Sequence, residues 1–356
     1  MILFYIFATS QTIKPMKRFV IFTLLLVIAL SAFAQGVIYG GLKYYVYPDT
    51  HEAVVIDQNT WSGELVIPSE IKFKDEAYTV KTISGQAFFN CTELTKVTLP
   101  KSLEKITSQM YTWYGPWGWM PECFSNPFRG CTSLESIEVD DDNNYFCSVD
   151  GVLLSKDKRN LFSYPAGKKQ KSYFISENVR KVCGFSFSNS QYLTDIIMSD
   201  SVTFLDAGAF EACKNIQSVR LSENIDHIDY WTFESCESLL FLEIPEKVKD
   251  FWGEAFRWSG IKTFVIRGTF PKELRNDIFD AVSDSAVLYV QNSEISKFKK
   301  VFPGTVLPLE SFTGINATKP SNNPSSNTIF DLQGRRILGT PSRGVYIMDG
   351  KKYVKK

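Results

Sequence analysis

The chain has 356 residues, 44% of them apolar, which is enough to fill a sizeable core and too many for a disordered protein. Lys plus Arg and Asp plus Glu balance at 39 each, so no net basic field points to nucleic acid or to an anionic membrane. Partners have to be sought in local surface chemistry.

Residues 1–34 read as an export signal: Met16 to Arg18 supply a positive n-region, FVIFTLLLVIALSAFA an apolar core, and Ala32, Phe33 and Ala34 a small-x-small cleavage site. The mature chain would then begin at Gln35, and MILFYIFATSQTIKP ahead of Met16 reads as an over-extended start. The apolar core falls short of the ~20 residues that a spanning helix needs, and nothing later looks transmembrane. No cysteine follows the cleavage point, which disfavours a lipid anchor.

Internal repetition starts at Ile83. Stretches opening at Val182, Leu205, Ile228 and Phe251 follow one another at 23 residues, and the same phase occurs in ISGQAFFNCTELTKVTLP from Ile83 and in FRGCTSLESIEV from Phe128. In each unit an apolar residue opens the coil, Phe comes five positions later (Phe88, Phe128, Phe187, Phe210, Phe233, Phe256), and Cys usually stands three beyond that (Cys91, Cys131, Cys213, Cys236). The unit closes on an L-x-x-V-x-L strand, as in Leu94, Val97 and Leu99, whose last two apolar residues share one face because a strand alternates with period two. So short a unit cannot bury its apolar face alone, but stacked units can. The periodicity therefore predicts a solenoid, mostly β with short helical turns, carrying a parallel ladder along one side.

Between two of these units lies MYTWYGPWGWMPEC. Ile106 opens a coil with Tyr111 in the Phe position, yet the next opener, Cys123, comes only 17 residues later, so Ile83 to Cys123 holds one repeat plus an insertion. Its rings, Tyr111, Trp113, Tyr114, Trp117 and Trp119, either form an exposed loop that stacks on sugars or a protein, or fold back to cover the solenoid. Further on, Val152 to Ser155 and Leu161 to Tyr164 read as a hairpin around the polar turn KDKRN, after which Tyr173 and Ile175 restore the strand phase.

The pattern AF-x-x-C-x-x-L-x-x-V-x-L-P at this spacing resembles the BspA-like leucine-rich repeats of exported proteins from Gram-negative gut and oral bacteria. GELVIPSEI from Gly63 resembles the family's opening coil, YFCSVDGVLLSKDKRNLFSYPAGKK from Tyr145 its recurrent hairpin segment, and AVLYV, Ala286 to Val290, its closing strand. The resemblance implies a solenoid over residues 35–312 and a non-catalytic secreted or cell-surface module that adheres to host or bacterial surface proteins; the alternatives are a carbohydrate-binding accessory protein that takes glycans through the aromatic loop 111–119, and a structural envelope component. A Pro/Asn/Ser linker follows at 313–327, and residues 328–356 read as three short strands. This tail is similar to C-terminal modules of such exported proteins and would be a sorting signal or a small cap.

No enzyme motif, cofactor fingerprint or metal site is present. The two histidines, His51 and His227, lie near no Ser or Cys motif, and the absence of C-x-x-C disfavours structural zinc. DDDNN at Asp140 to Asn144 reads as a solvated turn, since the rest of a calcium loop is missing. Cys91, Cys131, Cys213 and Cys236 share one repeat position and are expected as a ladder of reduced thiols facing backbone; Cys123 is in phase and interior, while Cys147 and Cys183 are left open. Solenoids bind with the strand face. The outward positions include Phe174, Ile197, Arg220, Phe241, Glu243 and Val265, an apolar patch around a charged centre suited to a protein partner unless a hairpin or loop covers it.

Overall fold

The computed structural model describes residues 34–58, 60–107, 126–270 and 274–312, with four short strands of the tail between residues 329 and 355. The chain starts as an antiparallel meander, Gln35–Tyr39, Leu42–Tyr47 and Glu52–Val55. The first turn is Gly40-Gly41, with φ of 56° and 84°, the doubly left-handed pair that a two-residue hairpin requires. Glu52–Val55 then pairs in parallel with Glu76–Ser84, so the meander closes the N-terminal end of the stack. LKYYVYPDTHEAVV carries no Phe/Cys phase, which is why the repeat alone assigns it no elements.

The strand face forms where the L-x-x-V-x-L segments predict it. Ser62–Val66, Glu93–Leu99 and Ser136–Val139 make one parallel run, and Ser172–Ile175, Asp195–Met198 and Ser218–Arg220 a second. Phe241–Ile244, Thr263–Ile266 and Val287–Val290 make a third, in which the predicted closing strand is not the last. Thr305–Pro308 pairs beyond it in parallel, after the single helical turn Ile295–Phe298. The openers do more than begin coils. Val182, Leu205, Ile228 and Phe251 lie in two-residue strands that build another parallel ladder away from the first, with bonded partners again 23 residues apart, as in Lys181 with Phe204 and His227 with Asp250.

The arcs between the ladders are turns rather than the helical turns expected. Two left-handed residues per arc prevent a helix: Phe185, Gly208, Trp231 and Glu254 (φ 56–63°) and then Asn189, Ala212, Ser235 and Trp258 (φ 54–61°). Left-handed backbone costs a non-glycine residue ~1 kcal/mol or more. Coil-to-coil hydrogen bonds offset it, such as Phe185 N to Ala207 O (3.1 Å), Phe187 N to Ala209 O (2.9 Å) and Asn189 N to Glu211 O (3.0 Å).

Inside, the Phe position forms a stack. Ring centroids are 5.3 Å apart for Phe187 and Phe210, 5.5 Å for Phe210 and Phe233, and 6.0 Å for Phe233 and Phe256, and Tyr164 extends the row at 5.2 Å from Phe187. The thiols behave as expected of a reduced ladder. Cys131, Cys213 and Cys236 donate to the carbonyls of Phe88, Phe187 and Phe210 at 3.0 to 3.2 Å, and Cys147 and Cys183 are also unpaired. Cys123 lies outside the described residues.

Buried apolar side chains form two clusters, Leu42 to Leu153 and Val152 to Val306. The hairpin strand Val152–Ser155 is the wall between them: Leu153 faces the first cluster while Val152 and Leu154 face the second, as alternation dictates. Asn143 of the predicted solvated turn is an exception to solvation. It is fully buried, donating to the carbonyls of Pro100 and Leu103 and accepting from the amides of Tyr145 and Phe146. In the tail the backbone forms four antiparallel strands rather than three, in the order Arg336–Ile337, Ile329–Phe330, Gly344–Met348, Lys351–Lys355.

Candidate binding surfaces

The pleat sends the predicted face residues outward, but two are not at the surface. Phe174 is 2% exposed and Val265 fully buried, so neither contributes to an open patch. Alternation fixes the side from which a side chain leaves a strand, not what lies over that side. For Val265 the cover is local. The chain turns back after Thr305–Pro308, and Phe312 stacks on Phe241 at 6.3 Å and meets Tyr289 at 5.0 Å, bridging the strands on either side of Val265.

Ile197, Arg220, Phe241 and Glu243 are half-buried. Ile197 is the ladder partner of Arg220. The Arg220 guanidinium donates to Met198 O at 2.7 Å and to both oxygens of Asp200 at 3.2 Å, lying along the ladder instead of projecting from it. Glu243 is bound by Arg267. This face is thus narrower and more self-satisfied than the sequence implies. The other predicted surface, Tyr111, Trp113, Tyr114, Trp117 and Trp119, falls in residues 108–125, outside the described residues.

A further surface lies on the arcs, where the repeat phase brings aromatic and charged residues into register. At the first left-handed position stand Phe185, Trp231 and Glu254; three residues later in each arc stand Ser188, Glu234 and Arg257, with Arg129 and Glu211 in the same phase of their own coils. Arg129 spans the interruption made by the hairpin segment: its guanidinium lies 3.9 Å over the Phe185 ring and 2.8 Å from Glu211. Trp231 donates its indole N–H to Glu254 at 2.8 Å, and Glu254 also pairs with Arg257 at 3.1 Å. Arg257 in turn stacks 3.9 Å over Trp258, while Tyr230 packs on Trp252 at 5.4 Å and accepts from Arg275. Trp252 and Trp258 remain 43% and 52% exposed, and Phe89 40%. Aromatic and Arg side chains at fixed offsets after each opener are the signal that could have found this ridge, had the strand face not been taken as the binding side.

The ridge also shifts one carboxylate. Partial burial, and then the Glu211 carboxylate in the adjacent coil, hold Glu234 up at about 6, against the pull of Arg257 and Arg129. Burial pushes the Cys213 and Cys183 thiols up to about 12, so both stay protonated and unreactive. His227 packs edge-on against Phe204 at 4.9 Å and bonds Asp226, and His51 stacks on Tyr78. Among the described residues no group of three or more His, Cys, Asp or Glu side chains could hold a metal ion.

Residues 56–114 and 158–284 match the family model for the BspA type leucine rich repeat region, in six copies. The chain belongs to this family. The matched BspA type region is a repeat region and not a catalytic family. No curated protein matches the chain. Similar solved structures include a leucine rich cell surface protein from Faecalibacterium prausnitzii, 16% identical, covering 78% of this chain and 100% of that one, with a TM-score of 0.46. Another is the pneumococcal vaccine antigen PcpA, 17% identical, covering 77% of this chain and 98% of that one, with a TM-score of 0.48. No helix among the described residues is long and apolar enough to cross a membrane.

Proposed function

We propose that this BspA type protein is exported and acts as a binding module at the cell surface or in the medium, holding protein partners through the arc ridge. The observation that carries the reading is the exposed pair Trp252 and Trp258, set among Tyr230, Arg257 and Arg275. Trp, Tyr and Arg dominate the energetics of protein interfaces because they offer large contact area with little side-chain entropy to lose. The guanidinium groups are already oriented by carboxylates, so little ordering is left for the moment of binding. The half-buried residues Ile197, Arg220, Phe241 and Glu243 of the strand face would contribute a second, weaker contact area.

The export signal at residues 1–34 and adhesion as the biological outcome belong to the same proposal. The test is a pull-down from extracellular-matrix and bacterial-envelope fractions, with a glycan array run beside it. Replacing Trp252 and Trp258 by Ala should remove the captured proteins with only a small fall in melting temperature, because about half of each side chain stands in solvent. Capture retained by the double variant would move the site elsewhere, and capture of glycans alone would replace a protein partner by a carbohydrate.

A further inference from the structure

The meander at the N-terminal end has an edge that lacks the usual protection. Sheets blunt their edges with charges, prolines or bulges, because an unpaired row of N–H and C=O groups is a template for another strand. Three other edges of the fold follow this rule: Ser62–Val66 carries Glu64 and a register shift at Gly63, Glu70–Phe73 carries Glu70 and Lys72, and Thr305–Pro308 ends in Pro308. Gln35–Tyr39 has the sequence QGVIY and an unbroken register with Leu42–Tyr47, and so has none of these devices. At its Gln35 end it approaches the opposite edge of the same sheet, where Lys74 Nζ donates to Gln35 Oε1 at 3.2 Å, but no ladder joins the two edges.

The side chains around this edge are apolar and in solvent. Four of the twelve large hydrophobic residues that are exposed among the described residues fall in this one hairpin: Ile38 at 72%, Tyr45 at 45%, Tyr39 at 39% and Tyr47 at 38%. Ile38 and Gly36 leave on the outer side of the sheet, together with Tyr45, which is the ladder partner of Gly36. A side chain placed on Gly36 would meet the Tyr45 ring at 3.8 Å, so the glycine leaves a shallow seat walled by that ring.

We propose that two copies of this chain associate through this edge, their Gln35–Tyr39 strands running antiparallel about a two-fold axis at Val37. This backbone, unpaired among the described residues, requires an extended strand as occupant, and the order of side chains makes that strand a second copy. In antiparallel pairing centred on Val37, residue 36 of one strand stands opposite residue 38 of the other. Each Ile38 therefore enters the seat that Gly36 and Tyr45 of the other copy leave open, and the contact is made twice, as an isologous interface demands. The result is one sheet continuous through both copies, with each solenoid running away from the junction.

The experiment uses the full chain. Sedimentation should show a concentration-dependent dimer, and Ile38→Lys should return it to monomer with the melting temperature of the dilute, monomeric parent, since Ile38 makes little contact within its own chain. Val37→Cys should give a disulfide-linked dimer on mild oxidation that the unmodified chain, under the same oxidant, does not. The two Cα atoms would lie ~4.5–5.5 Å apart, within the range a disulfide spans. A monomer at every concentration overturns the proposal. So does a dimer that survives Ile38→Lys, or one in which the Val37→Cys chains do not cross-link.

Discussion

The two buried clusters are built from the same repeat and differ in how much chain they use to build it. In the second, successive core residues of the strand face, Tyr173, Ile196 and Val219, are bonded at steps of 23 residues. In the first, Leu65, Val97 and Ile137 are bonded at steps of 32 and 40. The interior does not register the difference. Phe88 and Phe128 stack at 5.4 Å and Phe187 and Phe210 at 5.3 Å. Burial of the ring fixes the spacing of coils whatever the length of chain between them, and doubling a loop costs only ~0.6 kcal/mol in closure entropy. A solenoid can therefore take insertions in one half without loosening its core.

The largest effect should come from breaking the ring stack where it is most regular. Phe210 is fully buried between Phe187 and Phe233, at 5.3 Å and 5.5 Å, and Phe210→Ala should lower stability by ~3–5 kcal/mol. Phe88→Ala, with one stacked ring among the described residues, should fall at the lower end, ~3 kcal/mol. Hydrogen exchange would sharpen the comparison. Phe210→Ala should strip protection from the second cluster while Leu42–Tyr47 and Glu52–Val55 keep theirs, as nearest-neighbour coupling in a solenoid implies. Equal loss in both clusters would mean that Val152–Ser155 does not divide them.

Two glycines give a smaller, paired test. At Gly208 (φ 63°) an added Cβ would lie 2.2 Å from Cε1 of Phe185, a buried ring held under Arg129. At Gly130 (φ 79°) it would lie 2.1 Å from Oδ1 of Asn90, the end of an exposed side chain that can swing aside. Gly208→Ala should cost ~2–3 kcal/mol, backbone strain plus overpacking, and Gly130→Ala ~1 kcal/mol, strain alone. Equal melting temperatures for the two variants would remove Phe185 as the obstacle.

How much of this could be read beforehand follows from what periodicity measures. The interior columns were legible in Phe88, Phe187, Phe210 and Cys213, because a position that must always face the core keeps its residue type. The direction of Phe174 and Val265 was legible too. The cover over Val265 was not, since Phe312 reaches Phe241 and Tyr289 from more than twenty residues along the chain and no repeat rule places it. The second ladder was missed because two residues, such as Lys181–Val182, are too few to show alternation. The meander was missed because its order comes from a glycine turn and cross-strand pairs, not from the repeat. The arc ridge was written in the sequence at fixed offsets, in Trp231, Glu234, Arg257 and Trp258, but chemistry at those offsets changes from coil to coil.

That last point carries the smallest prediction. Stacking one repeat position on the next sets like beside like, which helps a column of Phe rings and harms a column of carboxylates. Glu211 and Glu234 are such a pair in the second cluster, while Phe89 and Arg129, at the same phase in the first, are not. Glu234 is held at about 6 against an ordinary 4.5, so its proton is bound more tightly in the folded chain than in the unfolded one. The stabilisation this gives is full below about pH 4.5, where both states are protonated, and is lost as pH rises through about 6. Glu234→Gln keeps the neutral form at every pH. The variant should match the parent in stability near pH 4 and exceed it by about 1 kcal/mol at pH 7, after allowance for solvent screening of a half-buried group. Chemical denaturation at the two pH values measures the difference between the chains, in which all other titrating groups cancel. A gap that stays constant with pH would mean that Glu211 and burial do not act on Glu234, and that the like-beside-like penalty is absent from this column.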